Sequence, residues 1–365
     1  MRVAVTLTQC WHEVPGGTAT AALHLVDALR RRDDVDLVGI GALGRPDTAF
    51  VPPIPTKRLH LPYQLLYEAW HRGFDAPEWV SGPVDLVHAT APMSPPVRRA
   101  PMVATLHDLF PVLEPANLTS RGVRMMTRAF ELMRRDATLV MCSSQQTLDD
   151  CVDAGFEPDR LRLVPLGATP VVVTAADRDR VRRRHHIDRP YLLWVGTAEP
   201  RKNLPVLIQA FRQAAPPDHE LLLVGPDGWG PEVASLFSTD DAIRHLGFVE
   251  AADLPVLYDG AEALLFPSRR EGFGLPAVEA MAQGTPVVGA ADTAVAEVVG
   301  ATGRLLDPSD VDAWSDTVRC VASSSGDWKR QRSEEARARA GDFTWDRTAQ
   351  LTVAVYAEAI EMGSR

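Results

Sequence analysis

Two carboxylates, Glu271 and Glu279, bracket the glycine-rich run Glu271-Gly272-Phe273-Gly274-Leu275-Pro276-Ala277-Val278-Glu279. On one unbroken helix that spacing would set them about 12 Å apart along the axis. Gly272, Gly274 and Pro276 interrupt such a helix. Glu271 is therefore expected in a loop, with Pro276 opening a helix over 277–283 and Glu279 in its first turn. Loop amides in this arrangement reach a phosphate or a sugar, and the two carboxylates accept hydrogen bonds from hydroxyls on either side. A second constellation, Gly196-Thr197-Ala198-Glu199-Pro200-Arg201-Lys202-Asn203, follows the apolar run Tyr191 to Val195. Its adjacent cations Arg201 and Lys202 suit a pyrophosphate, with the amides of the next helix adding to the field. Taken alone, the same pair reads as a solvated basic turn.

Two weaker signals lie in the first half. His107-Asp108 follows the apolar strand Met102 to Leu106, where a histidine facing a ligand can orient it and a neighbouring carboxylate can stabilise its charge. Gly16-Gly17 follows the first strand, and paired glycines ahead of a helix let backbone amides approach an anion. Both are, in isolation, as compatible with ordinary turns and packing. The sequence Gly39-Ile40-Gly41-Ala42-Leu43-Gly44 matches the dinucleotide fingerprint but leads into Arg45-Pro46-Asp47 and the proline-rich 52–55 segment. The fingerprint needs a helix starting at its glycines, so this match is a decoy.

The elements that must position these residues alternate between strand and helix. Strands are expected over 2–7, 35–41, 85–88, 102–106 and 138–142, with helices over 18–32, after Arg121 and after Ser144. The pattern breaks over 164–174, where Pro165, Gly167 and Pro170 punctuate the chain, and then restarts. Strands over 191–195, 220–224, 263–266 and 286–288 and a helix over 204–214 follow, and an amphipathic helix over 345–362 ends the chain. This alternation implies two parallel α/β sheets, each covered on both faces. The expected domains are 1–168, joined by the terminal segment 345–365, and 169–344.

Composition narrows the partners. With 365 residues, 45% hydrophobic and 24% charged, the chain has the balance of a globular protein of about two domains. A net charge of -10 argues against nucleic acid as the main partner. Cys10, Cys142, Cys151 and Cys320 form no CxxC pair and no zinc spacing, so free thiols and no metal site are expected. No apolar run approaches the ~20 residues that span a bilayer. The first apolar stretch ends at Thr8-Gln9, too early for a secretory signal, and a cytoplasmic location is expected. The stretch Arg121 to Arg135 mixes five arginines with Met125, Met126, Phe130, Leu132 and Met133. It reads as a helix packed on the first sheet, or as a basic amphipathic helix resting on the anionic inner face of a membrane.

Together these residues resemble the retaining glycosyltransferases of GT-B architecture that carry a Glu-x7-Glu motif, glycosyltransferase family 4. The resemblance is best over Tyr191 to Val299 and extends to Gly16-Gly17, His107-Asp108 and the Pro165-Leu166-Gly167 break. It implies two Rossmann-like domains facing across a cleft, with the acceptor on the first and the nucleotide sugar on the second, and a last helix that packs back on the first. Glu279 would bind the donor ribose, and Glu271 with the Phe273-Gly274-Leu275 backbone would face the transferred sugar and the phosphates. Lys202 and Arg201 would neutralise the diphosphate, and His107 would contact the sugar near the reacting carbon. Many members carry an arginine where this chain has Thr197, and Arg201 would supply that charge.

The resemblance favours GDP-mannose over UDP-sugars, no metal or other cofactor, and a glycan, lipid-linked or small-molecule acceptor, as in polysaccharide biosynthesis. A catalytically inert nucleotide-sugar-binding partner of another transferase and a GT-B sugar-nucleotide epimerase are the alternative readings. Acceptor identity, linkage position and oligomeric state are not legible.

Overall fold

The computed structural model describes residues 1–13, 16–115, 119–216, 218–228 and 241–364. The chain divides into two compact units, Met1–Gly167 with Trp345–Arg365, and Ala168–Thr344.

The first unit holds β1 (Arg2–Thr6), β2 (Asp36–Gly41), β3 (Thr56–Arg58), β4 (Leu86–Ala89), β5 (Met102–Leu106), β6 (Leu139–Cys142) and β7 (Leu161–Leu163). They form a parallel sheet in the order β3-β2-β1-β4-β5-β6-β7. Every residue of β4, β5 and β6 is buried, as expected of parallel strands with both faces covered. The outermost strands, β3 and β7, are the two that the sequence pattern did not reveal. Each is three residues long and has at least one exposed position, Lys57 and Arg58 in β3 and Leu163 in β7, because an edge strand faces solvent.

The helix Gly16–Leu29 starts two residues earlier than expected. Gly16 has φ +65°, a left-handed value that glycine adopts without strain, so the glycine pair belongs to the first turn and Thr18 does not cap it. Gly39 and Gly41 lie inside β2. A Cβ on Gly39 would come within 2.5 Å of Thr56 Oγ1, and one on Gly41 within 2.1 Å of the Trp11 ring. Those glycines serve packing, in keeping with the decoy reading.

The helix Trp345–Gly363 buries Trp345, Thr348, Ala349, Thr352, Val355, Tyr356 and Ala359, a stripe at three- and four-residue spacing. It packs on β4, β5, β6 and the helix Gly16–Leu29. Tyr356 Oη lies 2.6 Å from His88 Nδ1, and His88 Nε2 lies 2.7 Å from Thr105 Oγ1, which satisfies both nitrogens of a fully buried histidine. The helix Ser120–Asp136 is capped by Thr119, whose side chain accepts from the Gly122 amide. It turns Ala129, Phe130, Leu132 and Met133 inward and leaves Arg121, Arg124, Arg128, Arg134 and Arg135 exposed. No helix among the described residues is long and apolar enough to cross a membrane.

The second unit holds β8 (Tyr191–Val195), β9 (Glu220–Val224), β10 (Ile243–Gly247), β11 (Leu264–Phe266), β12 (Val287–Ala290) and β13 (Arg304–Leu306). The parallel order is β10-β9-β8-β11-β12-β13. The core behind it contains Trp194, Leu207, Phe211, Leu223, Leu265 and Trp314. Chain order reverses between β8 and β11, the position at which open α/β sheets bind ligands beyond the carboxyl ends of their strands. Both motif-bearing loops of this unit, 196–203 and 267–274, leave from those two strands.

Candidate functional site

In the second unit the chain after β8 turns into a short 3-10 segment, Pro200–Lys202, and then into the helix Leu204–Ala214. Asn203, at the junction, adopts φ +58° and ties three loops together. Its Nδ2 donates to Pro267 O at 3.1 Å and to Pro308 O at 2.6 Å. The Arg269 amide donates to Arg201 O at 2.8 Å. These bonds fix the cation-bearing turn against the loop after β11.

The side chains then converge. Lys202 Nζ donates to Glu271 Oε1 at 2.6 Å, and Arg201 donates to Glu271 Oε2 at 3.2 Å. Arg201 also pairs with Glu199 Oε1 at 2.5 Å and donates to Arg270 O at 3.1 Å. Glu199, Lys202 and Glu271 are all less than a tenth exposed. The Lys202 ammonium lies 5.1 Å from the centre of the Phe266 ring, a cation–π contact that burial strengthens. Burial pushes the Glu271 carboxyl up, but Lys202 and Arg201 outweigh it and hold Glu271 below the ordinary glutamate value. Burial also pulls the Lys202 ammonium down from the ordinary lysine value, with Glu271 opposing. Two cations and two carboxylates make the cluster formally neutral.

The Glu271 loop closes on the helix Leu275–Ala282, which Gly274 opens at φ +101°. Phe273 is buried edge-to-face on Phe343, ring centres 5.7 Å apart, which anchors the loop from below. The helix begins at Leu275, two residues ahead of the expected start, with Pro276 inside its first turn. Glu279 is consequently its fifth residue and stands in the second turn, a correction to the sequence expectation. The left-handed Gly274 starts the helix early, where Pro276 alone suggested the boundary.

Glu279 is half-buried and accepts a hydrogen bond from Tyr258 Oη at 3.1 Å. Burial pushes its carboxyl up to about 7, against the pull of the Tyr258 hydroxyl. The structure thus brings Arg201, Lys202 and Glu271 together and gives Glu279 a different partner.

Four contributors, Glu199, Tyr258, Gly225 and Gly228, carry no role in the sequence reading. Glu199 was visible in the motif, and its place two residues before Arg201 was the available signal. Tyr258, on the helix Leu254–Gly260, left no signal. Gly225 and Gly228 follow β9, and a Cβ on either would fall within 2 Å of Gly196 O or Ala198 O. They let the loop after β9 lie against the loop after β8.

In the first unit, His107 follows β5 at its carboxyl end. Its carbonyl accepts from Thr147 Oγ1 at 2.8 Å and from Ser143 Oγ at 3.3 Å. Asp108 turns back to accept from the Phe110 amide at 3.1 Å. Burial lowers the His107 pKa, with Asp108 acting in the opposite direction. Gly16 and Gly17 lie at the start of their helix, with open space where a side chain would stand. Among the described residues, no group of three or more His, Cys, Asp or Glu side chains has the arrangement of a metal site.

The family model described as Glycosyltransferase Family 4 matches residues 15–170, and the one described as Glycosyl transferases group 1 matches residues 189–324. O-antigen chain mannosyltransferase B of Escherichia coli is 31% identical over 274 residues, covering 72% of this chain and 71% of the relative. MMP alpha-(1->4)-mannosyltransferase of Mycolicibacterium hassiacum is 28% identical over 351 residues, covering 86% and 83%. Among solved structures, Anabaena HepE in complex with UDP and glucose superposes with a TM-score of 0.75 at 20% identity, covering 98% of this chain and 100% of that one.

Proposed function

Because this chain belongs to glycosyltransferase family 4, we propose that it transfers mannose from GDP-mannose to a hydroxyl of a glycan, a glycolipid or a small molecule. The chain is a retaining glycosyltransferase of the hexosyltransferase class, has the GT-B fold and uses a nucleotide-sugar donor. Mannose is supported by two relatives named as mannosyltransferases. UDP-sugars are the competing donors, since HepE carries UDP and glucose.

The observation that carries the donor site is the buried cluster of Arg201, Lys202 and Glu271 beside the point where strand order reverses. Breaking the anomeric bond develops negative charge on the departing diphosphate. Cations already oriented and desolvated lower the barrier by meeting that charge as it grows. In this reading Lys202 and Arg201 take the diphosphate, and the backbone of Phe273, Gly274 and Leu275 adds amides from the helix start. Glu271 holds the cations in place and borders the sugar, while Glu279 accepts from the ribose hydroxyls. His107 touches the sugar near the reacting carbon, and the amides of Gly16 and Gly17 border the donor from the first unit, which takes the acceptor. The acceptor hydroxyl attacks from the face that the diphosphate leaves, and a phosphate oxygen takes its proton. These fixed cations do the electrostatic work that a metal performs elsewhere.

A thermal-shift panel of nucleoside diphosphates tests the donor assignment. A ligand at 100 times its dissociation constant adds about 2.7 kcal/mol of stability. The largest shift is expected with GDP. A larger shift with UDP overturns the guanine-nucleotide part, and no shift with any diphosphate overturns the donor site.

A further inference from the structure

His107 Nδ1 is buried and has no hydrogen-bond partner among the described residues, and the same is true of Thr352 Oγ1 on the helix Trp345–Gly363. Both residues line one cavity of about 10 Å³ in the first unit, the space that one water needs. The other hydroxyls lining it are committed. Thr90 Oγ1 accepts from Gln9 Nε2 at 2.8 Å, Thr105 Oγ1 pairs with His88 Nε2 at 2.7 Å, and Thr348 Oγ1 donates to Pro165 O at 2.8 Å. The rest of the lining is mainly apolar, including Ala21, Leu25 and Met141. Native proteins satisfy nearly all buried polar groups, by water where no protein group reaches. Two orphaned atoms on one water-sized space are therefore best explained together.

We propose that a single buried water bridges His107 Nδ1 and Thr352 Oγ1, making Thr352 a positioning residue that holds the His107 ring in one tautomer and one rotamer. The bridge engages Nδ1 and leaves Nε2 as the ring atom that meets a ligand. Because burial lowers the His107 pKa, the ring is neutral near pH 7, with one donor and one acceptor nitrogen. Its tautomer then decides whether Nε2 gives or takes a hydrogen bond. The terminal helix thereby sets the hydrogen-bonding character of a residue 245 positions away in sequence. The consequence for turnover rests on the reading of His107 as a contact to the donor sugar; the bridge itself does not.

The test is ¹⁵N NMR of the imidazole nitrogens in the full chain, with the His107 resonances assigned by their loss in His107→Gln. Wild type and Thr352→Ser are expected to show one protonated and one unprotonated nitrogen, a single tautomer. Thr352→Val keeps the shape and removes the hydroxyl, and its two shifts are expected to move toward each other as tautomers mix. Thr352→Ala serves if the valine variant does not fold, as judged by its melting transition. Unchanged His107 shifts in the folded valine or alanine variant overturn the bridge.

Turnover is read in the same proteins. Thr352→Val should lower kcat about tenfold, the scale of one lost hydrogen bond, with the donor KM nearly constant and activity restored in Thr352→Ser. If the shifts move while kcat does not, the bridge stands and the sugar-contact role of His107 falls.

Discussion

Lys202 and Glu271 lie 69 residues apart in sequence, yet their charged atoms meet at 2.6 Å with both side chains buried. The carboxylate is the counter-ion of the cations that the donor diphosphate is proposed to meet. Removing one partner of a buried pair costs about 3–5 kcal/mol, because the other is left uncompensated. Glu271→Gln is expected to lose stability on that scale in chemical denaturation at pH 7, and saturating nucleoside diphosphate should recover part of it. The Glu271 carboxyl is held below its ordinary value, so its contribution is present at neutral pH and is lost on acidification through the folded-state pKa. Wild type and variant should converge in stability at low pH. Equal stability at pH 7 would show that the pair does not form.

Glu279 predicts the pH dependence of donor binding. With its carboxyl pushed up to about 7, Glu279 is expected to be mainly protonated at pH 6 and mainly ionised at pH 8. The ionised carboxylate accepts from ribose hydroxyls more strongly than the neutral acid does, so donor affinity should rise by up to about tenfold from pH 6 to pH 8 and level off above. Glu279→Gln should bind donor more weakly, by about 1.5–3 kcal/mol at pH 8, and show no such rise. A wild-type affinity flat across this range would remove Glu279 from the ribose site.

The helix Ser120–Asp136 buries Ala129, Phe130, Leu132 and Met133 in the first unit and leaves its arginines exposed, so an attraction to an anionic membrane would rest mainly on those arginines. Arg124 and Arg128 carry the test. Sedimentation with anionic vesicles at low salt, weakened by added salt and by Arg124→Glu with Arg128→Glu, is expected if a lipid-linked acceptor is met at the inner membrane face. A protein that ignores anionic vesicles at low salt takes its acceptor from solution.

Much of this organisation is legible in the residues. The buried strands β5, β8 and β9 announce themselves as mainly apolar runs, and the glycine-proline loops mark the ends of the strands that carry chemistry. What stayed hidden has a physical reason in each case. The edge strands β3, β7, β10 and β13 are short and partly polar, so no periodicity reports them. Glu279 stands two residues further into its helix than expected, because a left-handed Gly274 starts the helix sooner than Pro276 suggests. The Tyr258 contact to Glu279 depends on two helices meeting in space, which spacing along the chain does not encode. Glu271 reads in sequence as a sugar-facing carboxylate, and the structure shows both its oxygens taken by Lys202 and Arg201.

The fixed cations also predict how the enzyme responds to chelation. Activity should survive an excess of EDTA, measured as donor turnover before and after dialysis. Loss on chelation with recovery on adding Mg²⁺ or Mn²⁺ would mean that a metal shares the diphosphate charge with Lys202 and Arg201.

Isothermal titration of the full chain with GDP and UDP, each beside its parent nucleoside, measures directly whether Lys202 carries the leaving diphosphate. In Lys202→Met the affinity for the preferred diphosphate should fall by about 1.5–3 kcal/mol, the range for a hydrogen bond to a charged group, while the affinity for the nucleoside stays unchanged. Equal losses for diphosphate and nucleoside, or an undiminished affinity for the diphosphate, would contradict the assignment of this buried lysine to the phosphates.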